Sequence, residues 1–80
     1  LNLASEQNYI DAKYNLGVMY EFGEGVEKSY KKAYEYYLFA ARRDNLESQI
    51  RVAEMYRDGI GTEKDLNKNA YWLTRIENSK

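Results

Sequence analysis

The sequence has no cysteine, no histidine and no proline. Without cysteine there is no disulfide and no thiolate to act as nucleophile or metal ligand. Without histidine the commonest general base and metal ligand is missing. Ser5, Ser29, Ser48 and Ser79 therefore lack the partner that activates a hydroxyl nucleophile. The absence of proline suits a chain that is mostly helix with short connections. Long apolar runs are missing too, since no stretch approaches the roughly 18 residues of a membrane span, and no signal peptide is visible. Charge of either sign is not in excess: twelve basic and thirteen acidic residues leave a net −1. That balance gives no electrostatic reason to expect nucleic acid or an anionic membrane as a partner.

What is present is aromatic. Nine tyrosines, two phenylalanines and one tryptophan are many for 80 residues. A chain of this size forms one small domain at most, and folding buries only about 60% of its unfolded surface.

The chain also repeats itself. A shift of 36 residues aligns Met19 with Met55, Tyr20 with Tyr56, Gly23 with Gly59 and Gly25 with Gly61. It also aligns Glu27 with Glu63, Lys28 with Lys64 and Lys32 with Lys68. Conservative pairs extend the match: Leu16 with Val52, Gly17 with Ala53, Tyr36 with Trp72. Ala4 falls on Ala40, so residues 1–8 read as the end of a preceding repeat, with 9–44 a first repeat and 45–80 a second, C-terminal one.

Each repeat reads as two helices around a glycine turn. Ala12, Leu16 and Tyr20 lie four apart, on one helical face. Gly17 lets a neighbouring helix come close. Gly23-Glu24-Gly25 then stops the helix, because glycine readily takes the left-handed conformation at a C-terminus. Ser29 is a good N-cap for the next helix. Its small-and-aromatic face is Ala33, Tyr36, Tyr37, Ala40 and Ala41, and Asp44-Asn45 breaks it. The second repeat follows with Val52, Ala53, Tyr56, a Gly59-Ile60-Gly61 turn, Asp65 as N-cap, then Ala70, Trp72, Leu73 and Ile76. These signals predict helices over 9–22, 30–43, 46–58 and 66–78, a short helical remnant at 1–7 and no strand. The expected core is Leu16, Tyr20, Ala33, Tyr36, Tyr37, Ala40, Val52, Ala53, Tyr56 and Trp72.

The pattern Ala12-x-x-x-Leu16-Gly17-x-x-Tyr20-x-x-Gly23-x-Gly25-Val26, followed by Lys32-Ala33-x-x-Tyr36-Tyr37-x-x-Ala40-Ala41, resembles the Sel-one-like repeat. That family is related to the tetratricopeptide repeat and has a similar period. The likeness implies an all-α fold, an α-solenoid of two antiparallel helix hairpins, and an adaptor or scaffold role. It brings no catalytic residues. The second repeat departs from the first at Asn69, which stands where the first has Ala33, and at Ile76-Glu77, which stand where it has Ala40-Ala41. Glu77, Asn78, Ser79 and Lys80 are polar where a next unit would dock, as in a terminal cap.

The remaining signals are weighed against plain structural uses. Gly23-x-Gly25 lacks the further glycine and the lysine-serine ending of a phosphate loop, and its recurrence fits a repeat turn. Asp58, Glu63 and Asp65 do not have calcium-loop spacing, and Asp65 already caps a helix. No metal or cofactor is expected, and no enzyme. Lys31-Lys32 and Arg42-Arg43 are short basic runs of a solvated helix. Tyr14, Val18, Phe22 and Ile50 are different, because they lie off the core stripe of the two first helices. In solenoids of this kind the first helices line the concave face, and exposed apolar groups there mark partner binding. The expected partner site is therefore Tyr14, Val18, Phe22 and Ile50, rimmed by Glu21, Glu54 and Arg57. The expected partner is a protein or peptide, with no nucleic acid, no membrane insertion, and self-association through the N-terminal end as a further expectation. The rival readings are an immunity-type binder of a toxin or effector and a structural spacer whose concave face stays empty.

Overall fold

The computed structural model describes residues 3–79. Four helices follow one another: α1 Leu3–Phe22, α2 Tyr30–Ala41, α3 Leu46–Asp58 and α4 Leu66–Asn78. No strand occurs among the described residues. Successive helices pack on one another, α1 with α2, α2 with α3 and α3 with α4. The result is two hairpins in series.

The turns explain the helix boundaries. Gly23 and Gly25 have φ of 68° and 74°, and Gly59 and Gly61 repeat this at 69° and 73°. A left-handed glycine ends each first helix without a Cβ penalty. The turn bonds repeat as well. Ser29 N–H donates to the Tyr20 carbonyl, as Asp65 N–H does to Tyr56, both at 2.9 Å. Three side chains cap the following helices by accepting from the amide three residues on: Ser29 from Lys32, Asn45 from Ser48 and Asp65 from Lys68.

Two boundaries differ from the sequence reading. Residues 3–7 are not a separate helical remnant but the first turns of α1. Ser5, Glu6 and Gln7 include no helix-stopping residue, and the periodic signal began only farther on. The first two residues of the expected preceding-repeat segment 1–8 lie outside the described ones. At the other boundary α2 ends at Ala41 rather than at 43. Arg43 and Asp44 N–H bond three residues back, to Ala40 and Ala41. Asp44 then takes a left-handed φ of 68°, which an aspartate tolerates better than most residues.

The core lies between the hairpins. Ala33, Tyr37, Ala40, Ala41, Val52, Ala53, Met55, Tyr56 and Trp72 are buried. Gln49 is buried too, and its side-chain amide donates to the Ala41 carbonyl at 3.0 Å. Leu16, Tyr20 and Tyr36, expected in the core, are only half-buried. The repeat equivalence explains the two tyrosines. Their counterparts Tyr56 and Trp72 are covered by α2, and the Tyr34 hydroxyl bonds that of Tyr56. Tyr20 and Tyr36 instead stack on each other, with centroids 5.6 Å apart, and Lys32 lies over Tyr20. Ala12, Ala70 and Leu73 are exposed, so Trp72 is the one buried side chain described in α4.

Candidate functional site

Tyr14, Val18 and Phe22 follow at four-residue spacing on α1, so they share one face. On α3, Glu47, Ile50, Arg51 and Glu54 do the same at i, i+3, i+4 and i+7. Both faces open on one side of the molecule, and with Glu21 and Tyr37 they line a groove of about 410 Å³. Its floor depends on Gly17. A Cβ there would lie 2.7 Å from ring carbons of Tyr37, so only glycine lets that ring pack against α1. The Tyr14 ring leans on Tyr37 at 5.7 Å.

The charges are organised around Glu21. Its carboxylate accepts from the Tyr37 hydroxyl at 2.8 Å and from Arg51 Nε at 3.0 Å, and Arg51 Nη2 pairs with its other oxygen. Burial by itself pushes the Glu21 carboxyl up, but the hydrogen bonds from Arg51 and Tyr37 outweigh it and hold the carboxyl below its ordinary value. It is therefore ionised at neutral pH. Burial, and then Glu21, raise Tyr37, which stays a neutral donor. Arg51 reaches on to Glu54 with Nη1 at 3.1 Å. Tyr14 is raised by burial and by the neighbouring Glu47 charge.

Six of the seven residues singled out in the sequence meet here: Tyr14, Val18, Glu21, Phe22, Ile50 and Glu54. Phe22 is 65% and Ile50 43% exposed, while Tyr14 and Val18 are half-buried. Two assignments change. Glu21 is no rim residue. It is only 7% exposed, because Arg51 and Tyr37 draw it in. Arg57 does not line the groove; its guanidinium turns to the adjacent Asp58 in an exposed pair, with Nη2 at 2.8 Å from the carboxylate. Tyr37, Glu47 and Arg51 were missed. The stripe of Glu47, Ile50, Arg51 and Glu54 was readable as one helical face. Nothing in the sequence pairs Arg51 with a carboxylate thirty positions earlier. Among the described residues no three acidic side chains converge as a metal-holding group. None of the described helices is long and apolar enough to cross a membrane.

The repeat pattern of the Sel1 family, described as "Sel1 repeat", matches residues 10–45 and 46–76. A Sel1-like repeat-containing protein of Acanthamoeba polyphaga mimivirus is 38% identical over 64 residues, 80% of this chain and 12% of that protein. A Sel1 repeat protein from Oxalobacter formigenes has a crystal structure that superposes with a TM-score of 0.86 at 30% identity. That match covers 96% of this chain and 32% of the other. A protective antigen of uropathogenic Escherichia coli with the same repeat fold superposes at 0.84 and 33% identity, over 95% of this chain and 16% of the antigen. The chain thus spans a small part of the length of the curated relatives it matches, 12% for the viral protein. With two consecutive matched repeats and the same helical solenoid in its structural neighbours, the chain belongs to the Sel1 repeat family, whose members are generally protein-interaction modules.

Proposed function

We propose that this chain is a protein-interaction module, an adaptor or scaffold element that holds a peptide or protein segment in the groove between α1 and α3, and that it performs no catalysis. One observation carries the reading: Phe22 and Ile50 stand exposed in an open groove whose wall is completed by Tyr14 and Val18, half-buried against the core. Exposed apolar groups that share a concave surface are a favoured place for a partner, and aromatic side chains there supply most of the binding energy. The Glu21–Arg51 pair braces the two helices, so the groove is preformed and little ordering cost falls on binding. A spacer has no use for these exposed apolar groups.

The test compares partners bound by the natural chain and by Tyr14→Ala/Phe22→Ala. Both substitutions shorten half-buried or exposed side chains, so the circular dichroism spectrum is expected to stay helical. Specific partners are expected to be lost from the variant. Unchanged recovery of every partner by a folded variant would refute the groove assignment and place the binding surface elsewhere, whereas no specific partner for either protein would favour the spacer reading.

A further inference from the structure

We infer that the segment held in the groove is basic as well as apolar: a bulky apolar side chain flanked on both sides by lysine or arginine. This rests on the protein-binding reading above and adds the chemistry of the partner. The groove is lined by three carboxylates, Glu21, Glu47 and Glu54, and by a single cation, Arg51. That cation is committed. Nε and Nη2 of Arg51 bond Glu21, and Nη1 bonds Glu54. It therefore has little left to offer an acidic partner.

The carboxylates are not all paired with a cation. Glu47 accepts from the Tyr14 hydroxyl but forms no salt bridge among the described residues and is exposed, and Glu54 is tied to Arg51 through one oxygen while its side chain remains 41% exposed. The two stand seven residues apart on α3, which is roughly 10 Å along the helix. Ile50 lies between them, with Tyr14, Val18 and Phe22 across the groove. In an extended peptide, residues i, i+2 and i+4 point the same way and span about 13 Å. A Lys-x-Leu-x-Lys arrangement then places its central side chain over Ile50 and Phe22 while flexible lysine stems reach Glu47 and Glu54. An acidic segment would bring its charges against two carboxylates, and such like-charge juxtaposition suppresses wrong partners.

Three labelled peptides of one length test this by fluorescence anisotropy on the intact chain: one with Lys-Thr-Leu-Thr-Lys at its centre, one with Glu-Thr-Leu-Thr-Glu, and one with Lys-Thr-Ser-Thr-Lys. The first is expected to bind about tenfold more tightly than either of the others at low salt and to weaken as salt rises toward about 0.15 M. Glu47→Gln/Glu54→Gln should weaken it about fivefold, because each exposed pair is worth a fraction of a kcal/mol. The same variant should weaken the serine peptide by a similar factor, since that peptide carries the same two lysines. Equal or tighter binding of the glutamate peptide, or no binding of the lysine–leucine peptide, overturns the basic-partner inference. The groove reading survives that result as long as Tyr14→Ala/Phe22→Ala still abolishes partner binding. Binding of the lysine–leucine peptide that is indifferent to Tyr14→Ala/Phe22→Ala would place it outside the groove and overturn the inference as well.

Discussion

Gly25 and Gly61 occupy the same place in the two repeats and have nearly the same backbone, with φ of 74° and 73°. Their surroundings are opposite. A Cβ on Gly25 would meet nothing within 4 Å, whereas one on Gly61 would lie 2.3 Å from the Tyr30 carbonyl oxygen and 3.0 Å from Tyr34 Cβ. The second turn therefore lies directly on the start of α2, and the first faces open space. The pair separates two costs that usually come together. Gly25→Ala carries only the left-handed backbone penalty, about 1 kcal/mol. Gly61→Ala carries that penalty and forces a backbone apart, so it should cost about 3 kcal/mol. Urea unfolding of the two variants measures the difference. Equal losses would mean that the turn and α2 separate without cost.

The helices are not equally anchored. α2 and α3 supply most of the core, while α4 buries Trp72, rests Ile76 on the core and reaches Asp44 through Arg75, with two further devices near its start. Asn69 donates to the Ala53 carbonyl at 2.7 Å, and Asp65 caps the first turn. Asn69 thus has a use that an alanine, its counterpart in the first repeat, could not supply. Few buried contacts mean a low opening free energy. In hydrogen exchange, amides of α4 are expected to exchange before those of α2 and α3. Asp65→Ala should hasten α4 further and cost about 1 kcal/mol overall. Protection of α4 equal to that of α3 would contradict this. The same contrast shows what was legible. Glycine turns and caps have few alternative explanations, so the starts of α2, α3 and α4 agree with the sequence reading. The apolar members of the groove were legible because they break the core stripe. Tyr20 and Tyr36 were misjudged because equivalent positions in a repeat see different neighbours: these two pack on each other within one hairpin, whereas Tyr56 and Trp72 also have α2 of the other hairpin beside them. Glu21 was misread because a helical carboxylate is ordinarily solvated, and its burial depends on a tyrosine and an arginine brought in from two other helices.

At the scale of the molecule those contacts join the hairpins. Glu21 on α1 bonds Arg51 on α3, the Tyr34 and Tyr56 hydroxyls meet between α2 and α3, and Arg75 on α4 reaches Asp44 at 2.9 Å. Of the ion pairs, Glu21–Arg51 is the most enclosed, and it stands at the floor of the groove. Its pH dependence has a definite sign. The folded state holds the Glu21 carboxyl below its ordinary value of 4.5. The pair's contribution is therefore fully present above that value and is lost as pH falls through the lower folded-state value. Glu21→Gln removes the charge while keeping the shape, and it leaves Arg51 with Glu54 alone. At neutral pH the variant should be less stable by about 2 kcal/mol, in line with charged hydrogen bonds lost from a nearly buried site. Below pH 4.5 the natural chain should lose melting temperature more steeply than the variant, so that the two curves converge. Thermal melts of both proteins across that range decide the matter. Parallel curves would show that Glu21 titrates as an ordinary surface acid and that the groove floor is held by apolar packing alone.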